Sequence, residues 1–231
     1  MPKIPSWLKP SKTVPRAPWS AGESNWKASP KTYLVLVTGL WIFGTGEAAL
    51  VASSAGQSPW VVFAEGISKV SGITIGEATA LTSFVVLLAW IPLRMKPGAG
   101  TILNAIVIAL ALEVMIPVYP DPKSQLSQLV LVLLGIALAG LGSALYISSH
   151  LGTGPRDGLM TGLHYKTGKP VARIRLTIEV VVLTIGWLIG GTVGIGTLMF
   201  ALLIGYSVAF WFGLTAKLNN WYDLRINFDQ K

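Results

Sequence analysis

Residues 39–72, GLWIFGTGEAALVASSAGQSPWVVFAEGISKVSG, and residues 135–168, GIALAGLGSALYISSHLGTGPRDGLMTGLHYKTG, carry one pattern written twice, 96 positions apart. Extending the ungapped shift lays residues 39–109 over residues 135–205 and matches 17 of 71 positions. Apolar matches are cheap in a greasy sequence, so glycine is the sharper test. Eight of the nine glycines in the first window land on glycine, where the 14 glycines of the second window predict about two by chance. The chain is an internal duplication.

The surroundings of the repeat set its environment. The 231 residues are 52% hydrophobic and only 12% charged, about half the charged share of a soluble globular domain, and the mean hydropathy is +0.61. A helix needs about 20 mostly apolar residues to cross ~30 Å of hydrocarbon. Six stretches approach this: residues 33–52, 78–93, 101–118, 128–148, 174–189 and 197–214. The second and fifth are short. A polar, Pro-rich arm precedes the first stretch, so it does not read as a cleavable signal peptide. The absence of cysteine excludes a disulfide scaffold and thiolate metal sites. Two histidines without a paired-carboxylate or HExxH pattern leave no expected metal centre, hydrolytic centre or cofactor.

Lys and Arg give an orientation. With the amino terminus in the cytoplasm and six spans, 16 of the 18 basic residues fall inside, leaving only Lys69 and Lys123 outside. That bias is the positive-inside pattern, and it turns the net charge of +8 toward a lipid bilayer rather than nucleic acid. Each repeat then holds three spans. Because three is odd, the second copy enters the membrane from the opposite face. The expected fold is an all-α membrane protein with six transmembrane helices in two inverted three-helix repeats, residues 31–118 and 126–214. A cytoplasmic arm (1–30) and tail (215–231) flank them. Inverted repeats of this kind characterise secondary transporters, whose halves exchange conformations around a central site.

Two short pieces break the pattern, one from Ser58-Pro59-Trp60 to Val70 and one from Gly154-Pro155-Arg156-Asp157 to Lys166. Each begins with Pro in the first turn, where a helix tolerates it, and neither is long enough to span. As re-entrant half-helices they aim free N–H groups and a positive dipole end at the midplane, ready for an anion. As interfacial amphipathic helices they lie flat: Val62, Phe63, Ile67 and Val70 share a face of the first, and Leu159, Met160 and Leu163 share a face of the second. Both readings stand at this level. Ser58, Pro59, Trp60, Gly154, Pro155, Arg156, Asp157 and Ser149 are the candidate solute-binding residues. Arg156 and Asp157 either clamp a solute or pair with each other and fix the turn.

Charges inside hydrocarbon are expensive and mark function. Glu47 lies among Gly44, Gly46, Ala48 and Ala49, and Glu179 lies one turn beyond Arg175, a partner at i−4. These two carboxyls are the candidates for ion or proton coupling; either one, taking up and releasing a proton, would carry it in exchange for solute. Glu113 reads as interfacial, as does His150, and His164 reads as exposed.

The motif Gly152-Thr153-Gly154-Pro155-Arg156-Asp157-Gly158-Leu159, followed by Gly162-Leu163, resembles the GxGPxD signature of the YczE/YitT-like family of bacterial integral membrane proteins. Gly186-Trp187-Leu188-Ile189-Gly190-Gly191 with Gly194-Ile195-Gly196-Thr197-Leu198 is similar to its second signature. The resemblance covers residues 39–213 and implies a multi-pass protein of the bacterial inner membrane with a transporter's role; it names no substrate. The expected function is therefore alternating-access movement of a small polar or anionic solute by a protein that is not an enzyme. The rival is a non-transporting accessory or assembly subunit of a larger membrane complex. Its motive is the arm, in which Trp7, Trp19 and Trp26 stand among six prolines. That arm either rests in the headgroups or docks a partner membrane protein.

Overall fold

The computed structural model describes residue 14 and residues 16–229, with side chains described as far as Lys217. Among the described residues the chain is all-helical, with eight α-helices and no strand. They are α1 (Pro30–Ala52), α2 (Pro59–Ser71), α3 (Ile75–Leu93), α4 (Ala99–Met115), α5 (Gln125–Ser148), α6 (Pro155–Thr167), α7 (Val171–Leu188) and α8 (Ile195–Asp229). A short 3-10 turn, Ile116–Val118, extends α4.

Their starts are written in capping chemistry. Ser29 accepts the Thr32 N–H and Pro30 opens α1. Thr74 and Glu77 form a reciprocal capping box on α3, and Ser124 caps α5. α2 and α6 both open on Pro and close on a left-handed glycine, Gly72 and Gly168.

Among the described residues, five helices are long and apolar enough to cross a membrane: Pro30–Ala52, Ile75–Leu93, Ala99–Val118, Gln125–Ser148 and Ile195–Lys217. They place the protein in a lipid bilayer. The fifth expected stretch, residues 174–189, lies almost wholly in α7. Its 18 residues include Arg173, Arg175 and Glu179, and that charge load separates α7 from the other five. The sixth stretch lies within α8, which stays helical past residue 214 to Asp229.

The packing centres on α1 and α5, which make the most extensive contact in the molecule. Two glycines seven residues apart on each helix let the backbones touch. A Cβ on Gly142 would lie 2.5 Å from both Gly39 O and Phe43 N, and one on Gly46 would lie 2.6 Å from Ala139 N. Residue 39 thus faces 142 while 46 faces 135 and 139, so the two helices run antiparallel. Small residues at the crossing are what bilayer helices use to approach closely.

The local backbone repeats with the sequence. The bounds of α2 shifted by 96 are those of α6, and α1 and α5 end at the shifted position. The eight positive-φ residues among the described residues form four pairs at the same offset: Ser54 with His150, Gly56 with Gly152, Gly72 with Gly168, and Arg94 with Gly190. Helix contacts pair likewise. α1 lies on α4 as α5 lies on α8, and α2 crosses to α7 as α6 crosses to α3.

The described part of the amino-terminal arm packs on its own chain. Ala21 N–H donates to Ser149 O at 2.8 Å, Ser20 Oγ to Ser148 O at 2.6 Å, and Ala99 N–H to Asn25 O at 2.9 Å. Trp19 Nε1 reaches Ser148 Oγ at 3.1 Å. Residues 1–13 and 15, carrying Trp7, Lys3, Lys9 and Lys12, lie outside the described residues, as do the tail side chains Trp221 and Tyr222.

Candidate functional site

The helices of both repeats converge on a cavity of about 430 Å³. It gathers Glu47 from α1, Ser58, Pro59 and Trp60 from the start of α2, Gly154, Arg156 and Asp157 from the start of α6, and Glu179 from α7. Eight of the ten residues singled out in the sequence therefore meet at one void. Pro155 and Ser149 do not line it. Pro155 O accepts Trp90 Nε1 at 2.9 Å, which ties α6 to α3. The Ser149 hydroxyl is turned back to Tyr146 O at 2.6 Å within its own chain segment.

Glu47 is held where α1 passes the mouth of α2, and is 1% exposed. Its Oε2 accepts Ser58 Oγ at 2.7 Å, while its Oε1 is buried with no hydrogen-bond partner among the described residues. Ser58 sits at the N-cap of α2, where a hydroxyl ordinarily accepts a first-turn N–H. Here the hydroxyl makes no such bond and donates to Glu47 instead. α6 has Gly154 at that place and no side chain to cap with. Both helix starts at the cavity thus lack side-chain caps, and a helix start of that kind favours anions through its free N–H groups and dipole.

Trp60 and Arg156 occupy equivalent positions, 96 residues apart, and meet across the cavity. The Arg156 guanidinium lies 5.0 Å from the Trp60 ring centroid, in cation–π stacking. Of the two alternatives for Arg156 and Asp157, mutual pairing is not formed. Asp157 Oδ2 accepts the Tyr146 hydroxyl at 3.3 Å, and among the described residues no carboxylate lies within 4.0 Å of Arg156. The carboxyls whose field reaches it are Glu47, Asp157 and Glu179. Glu179 itself takes Arg175 Nε at 2.9 Å, the i−4 pair expected from spacing. The arrangement is a half-buried cation resting on an aromatic face, beside a carboxyl with one free oxygen, between two helix starts. It can recognise an anion, and it offers a carboxyl placed to exchange a proton.

Asn104 and Tyr146 also line the cavity. Sequence reasoning passed over both, because a neutral polar residue in an apolar helix reads as a helix–helix hydrogen bond. It also passed over Glu65. This carboxylate is nearly buried in α2 and accepts Gln57 Nε2 at 2.9 Å, Thr192 N–H at 2.6 Å and Thr192 Oγ1 at 2.9 Å, with Lys69 Nζ at 2.7 Å. It clamps α2 to the turn before α8. The available signal was Glu65 and Lys69 at i, i+4 on a face shared with Val62 and Gly66. Of the other ionisable residues, His164 Nδ1 lies 2.7 Å from Lys169 O in an exposed turn. His150 adopts a left-handed backbone with its Nε2 buried and unpartnered among the described residues.

Comparison with known proteins gives relatives throughout the membrane part. Residues 30–212 match a family of unknown function, DUF6198. An uncharacterized protein of Haemophilus influenzae is 40% identical over 210 residues, covering 91% of this chain and 96% of that protein. The uncharacterized membrane protein YczE of Bacillus subtilis is 30% identical over 185 residues, 79% of this chain and 86% of YczE. The uncharacterized protein YyaS of the same organism is 27% identical over 177 residues, 75% of this chain and 88% of YyaS. No solved structure matches the chain.

Proposed function

The chain belongs to the DUF6198 family and to the YczE-like membrane proteins, and from that premise we propose that it is a secondary-transporter-like carrier moving a small polar or anionic solute by alternating access. It is built from two inverted three-helix repeats, with α7 as the span whose Arg175–Glu179 pair faces the cavity. α2 and α6 are re-entrant half-helices, and both termini lie in the cytoplasm of a bacterial inner membrane. Support for the inversion comes from the antiparallel α1–α5 contact, and support for the repeat from the four positive-φ pairs. Twin junctions add to it: Gly100 N–H donates to Leu151 O and Gly196 N–H to Ala55 O, both at 2.8 Å and 96 residues apart on each side.

The single observation carrying the function is the meeting of Trp60 and Arg156 beside Glu47 at one cavity. The solute's negative group sits on Arg156 between the starts of α2 and α6. Arg156 lies in the field of Glu47, so the solute and the Glu47 carboxylate compete for one cation. A proton on Glu47 frees Arg156 for the solute, and the two travel together. Glu179, already paired with Arg175, is the secondary coupling site. On the far side the Glu65 clamp joins α2 to the turn before α8. Its twin position holds Thr161, so the two ends of the pathway are held by bonds of unequal strength.

The test is anion-driven proton entry into proteoliposomes loaded with a pH dye, using short- and long-chain monocarboxylates, phosphate and sulfate. At least one anion acidifies the lumen in the wild type beyond the response of protein-free liposomes, and Glu47→Gln abolishes that excess while the protein remains monodisperse. No response to any of these anions, or an unchanged response in Glu47→Gln, refutes the proposal.

A further inference from the structure

The two halves differ in one wall of the cavity. α3 packs along α4, with Gly76 set so close that a Cβ would lie 2.7 Å from Ala109 O. The equivalent helices α7 and α8 make almost no contact. The sequence explains the difference. Gly76, Ala80 and Ser83, small enough for close approach, are replaced at the shifted positions by Ala172, Leu176 and Glu179. The gap between α7 and α8 lies at the cavity itself, since Arg175 and Glu179 line it from one side and Phe200, Ile204 and Val208 from the other. Glu179 is 30% exposed there, although it lies well inside α7.

We infer that this cavity opens sideways into the bilayer between α7 and α8 and takes an amphiphile: a carboxylate or phosphate head on Arg156 and an apolar chain leading out past Phe200, Ile204 and Val208. The inference rests on reading the cavity as the solute site. Its lining is polar at the α2 and α6 starts and apolar along α8, which is the polarity of such a molecule. At the mouth Arg175 and Glu179 neutralise each other, so no net charge repels the head. The chain stays in apolar surroundings throughout, whereas a compact hydrophilic ion entering this way would have to cross hydrocarbon.

The full chain in bilayers of phosphatidylethanolamine and phosphatidylglycerol tests this with dodecanoate carrying a diazirine near the end of its chain. Illumination should give saturable adducts on α7 and on residues 200–208, suppressed by unlabelled dodecanoate and by dodecyl phosphate but not by acetate or dodecanol. Removing the cation with Arg156→Gln should weaken binding about tenfold or more, since a charge-assisted pair is lost. Arg156→Lys should restore part of it, and Ile204→Trp, which narrows the opening without touching the charge, should also reduce labelling. Unsaturable adducts spread over lipid-facing residues such as Leu81 and Leu133 would overturn the inference, as would labelling that Arg156→Gln and Ile204→Trp both leave unchanged. Suppression by acetate as strong as by dodecanoate would overturn the amphiphile and its lateral entry alone, leaving the anion site intact.

Discussion

Adding one methyl group at Gly142 tests the α1–α5 seam. The new Cβ of Gly142→Ala would lie 2.5 Å from two backbone atoms of α1, Gly39 O and Phe43 N, against the 3.4 Å at which ordinary van der Waals contact begins. Backbone atoms cannot rotate away, so the helices must part by roughly 0.9 Å at the crossing. A gap of 0.5–1 Å forfeits about a quarter to a half of each dispersion contact it opens, and overpacking of this kind typically costs about 1–3 kcal/mol. Alanine's better helix propensity returns less than about 1 kcal/mol. Net destabilisation of about 1–2 kcal/mol is expected, measured as a shift in an SDS unfolding titration. Gly46→Ala, 2.6 Å from Ala139 N, should cost a similar amount. Gly205→Ala, with nothing within 4 Å, should be neutral or stabilising. Equal behaviour of all three variants would refute a backbone-to-backbone seam.

Glu65→Gln replaces a carboxylate that takes two charge-free donors, a backbone N–H and Lys69. Hydrogen bonds to charged groups are worth about 1.5–3 kcal/mol, so exchange of the Thr192 amide should accelerate about tenfold or more; unaltered protection would show that the clamp does not hold that turn. Trp90→Phe removes the bond to Pro155 O at 2.9 Å and trims the indole ring that lies on Gly158 of α6; it should lower stability by at least the roughly 1–3 kcal/mol of an unsatisfied carbonyl in the same SDS titration, whereas no shift would mean that Trp90 does not hold α6. Burial holds the Tyr119 phenol, just past the membrane-spanning part of α4, above its ordinary pKa. Its contribution to stability is present below pH ~10 and lost as the pH rises through the raised value. Tyr119→Phe should therefore lose less stability than the wild type between neutral and strongly alkaline pH, and parallel losses would contradict the assignment.

The parts of the fold legible in sequence were those encoded locally. Pro59 and Pro155, Gly72 and Gly168, and the 96-residue offset mark the short helices and their ends, because proline and glycine act on the backbone residue by residue. The meeting of Trp60 and Arg156 was legible through the duplication, which brings these equivalent positions together, whereas Glu47 stood out as a charge within an apolar stretch. What escaped depends on contacts that no local pattern records. The Thr74–Glu77 capping box begins α3 three residues earlier than hydropathy suggests, since capping residues are polar. Trp19, Ser20 and Ala21 bind back to Ser148 and Ser149 across more than a hundred residues. Arg156 and Asp157, adjacent in sequence, turn to different partners because successive helix side chains point about 100° apart.

Inversion of the two repeats is what the transport mechanism stands on, and a cysteine-free chain makes it directly measurable. Val70→Cys and Tyr165→Cys place single thiols on exposed residues in the last turns of α2 and α6. Labelling with a membrane-impermeant maleimide in right-side-out vesicles should modify Val70→Cys alone, and in inside-out vesicles Tyr165→Cys alone. Modification of both thiols from the same side would contradict the inverted arrangement and the alternating-access carrier built on it.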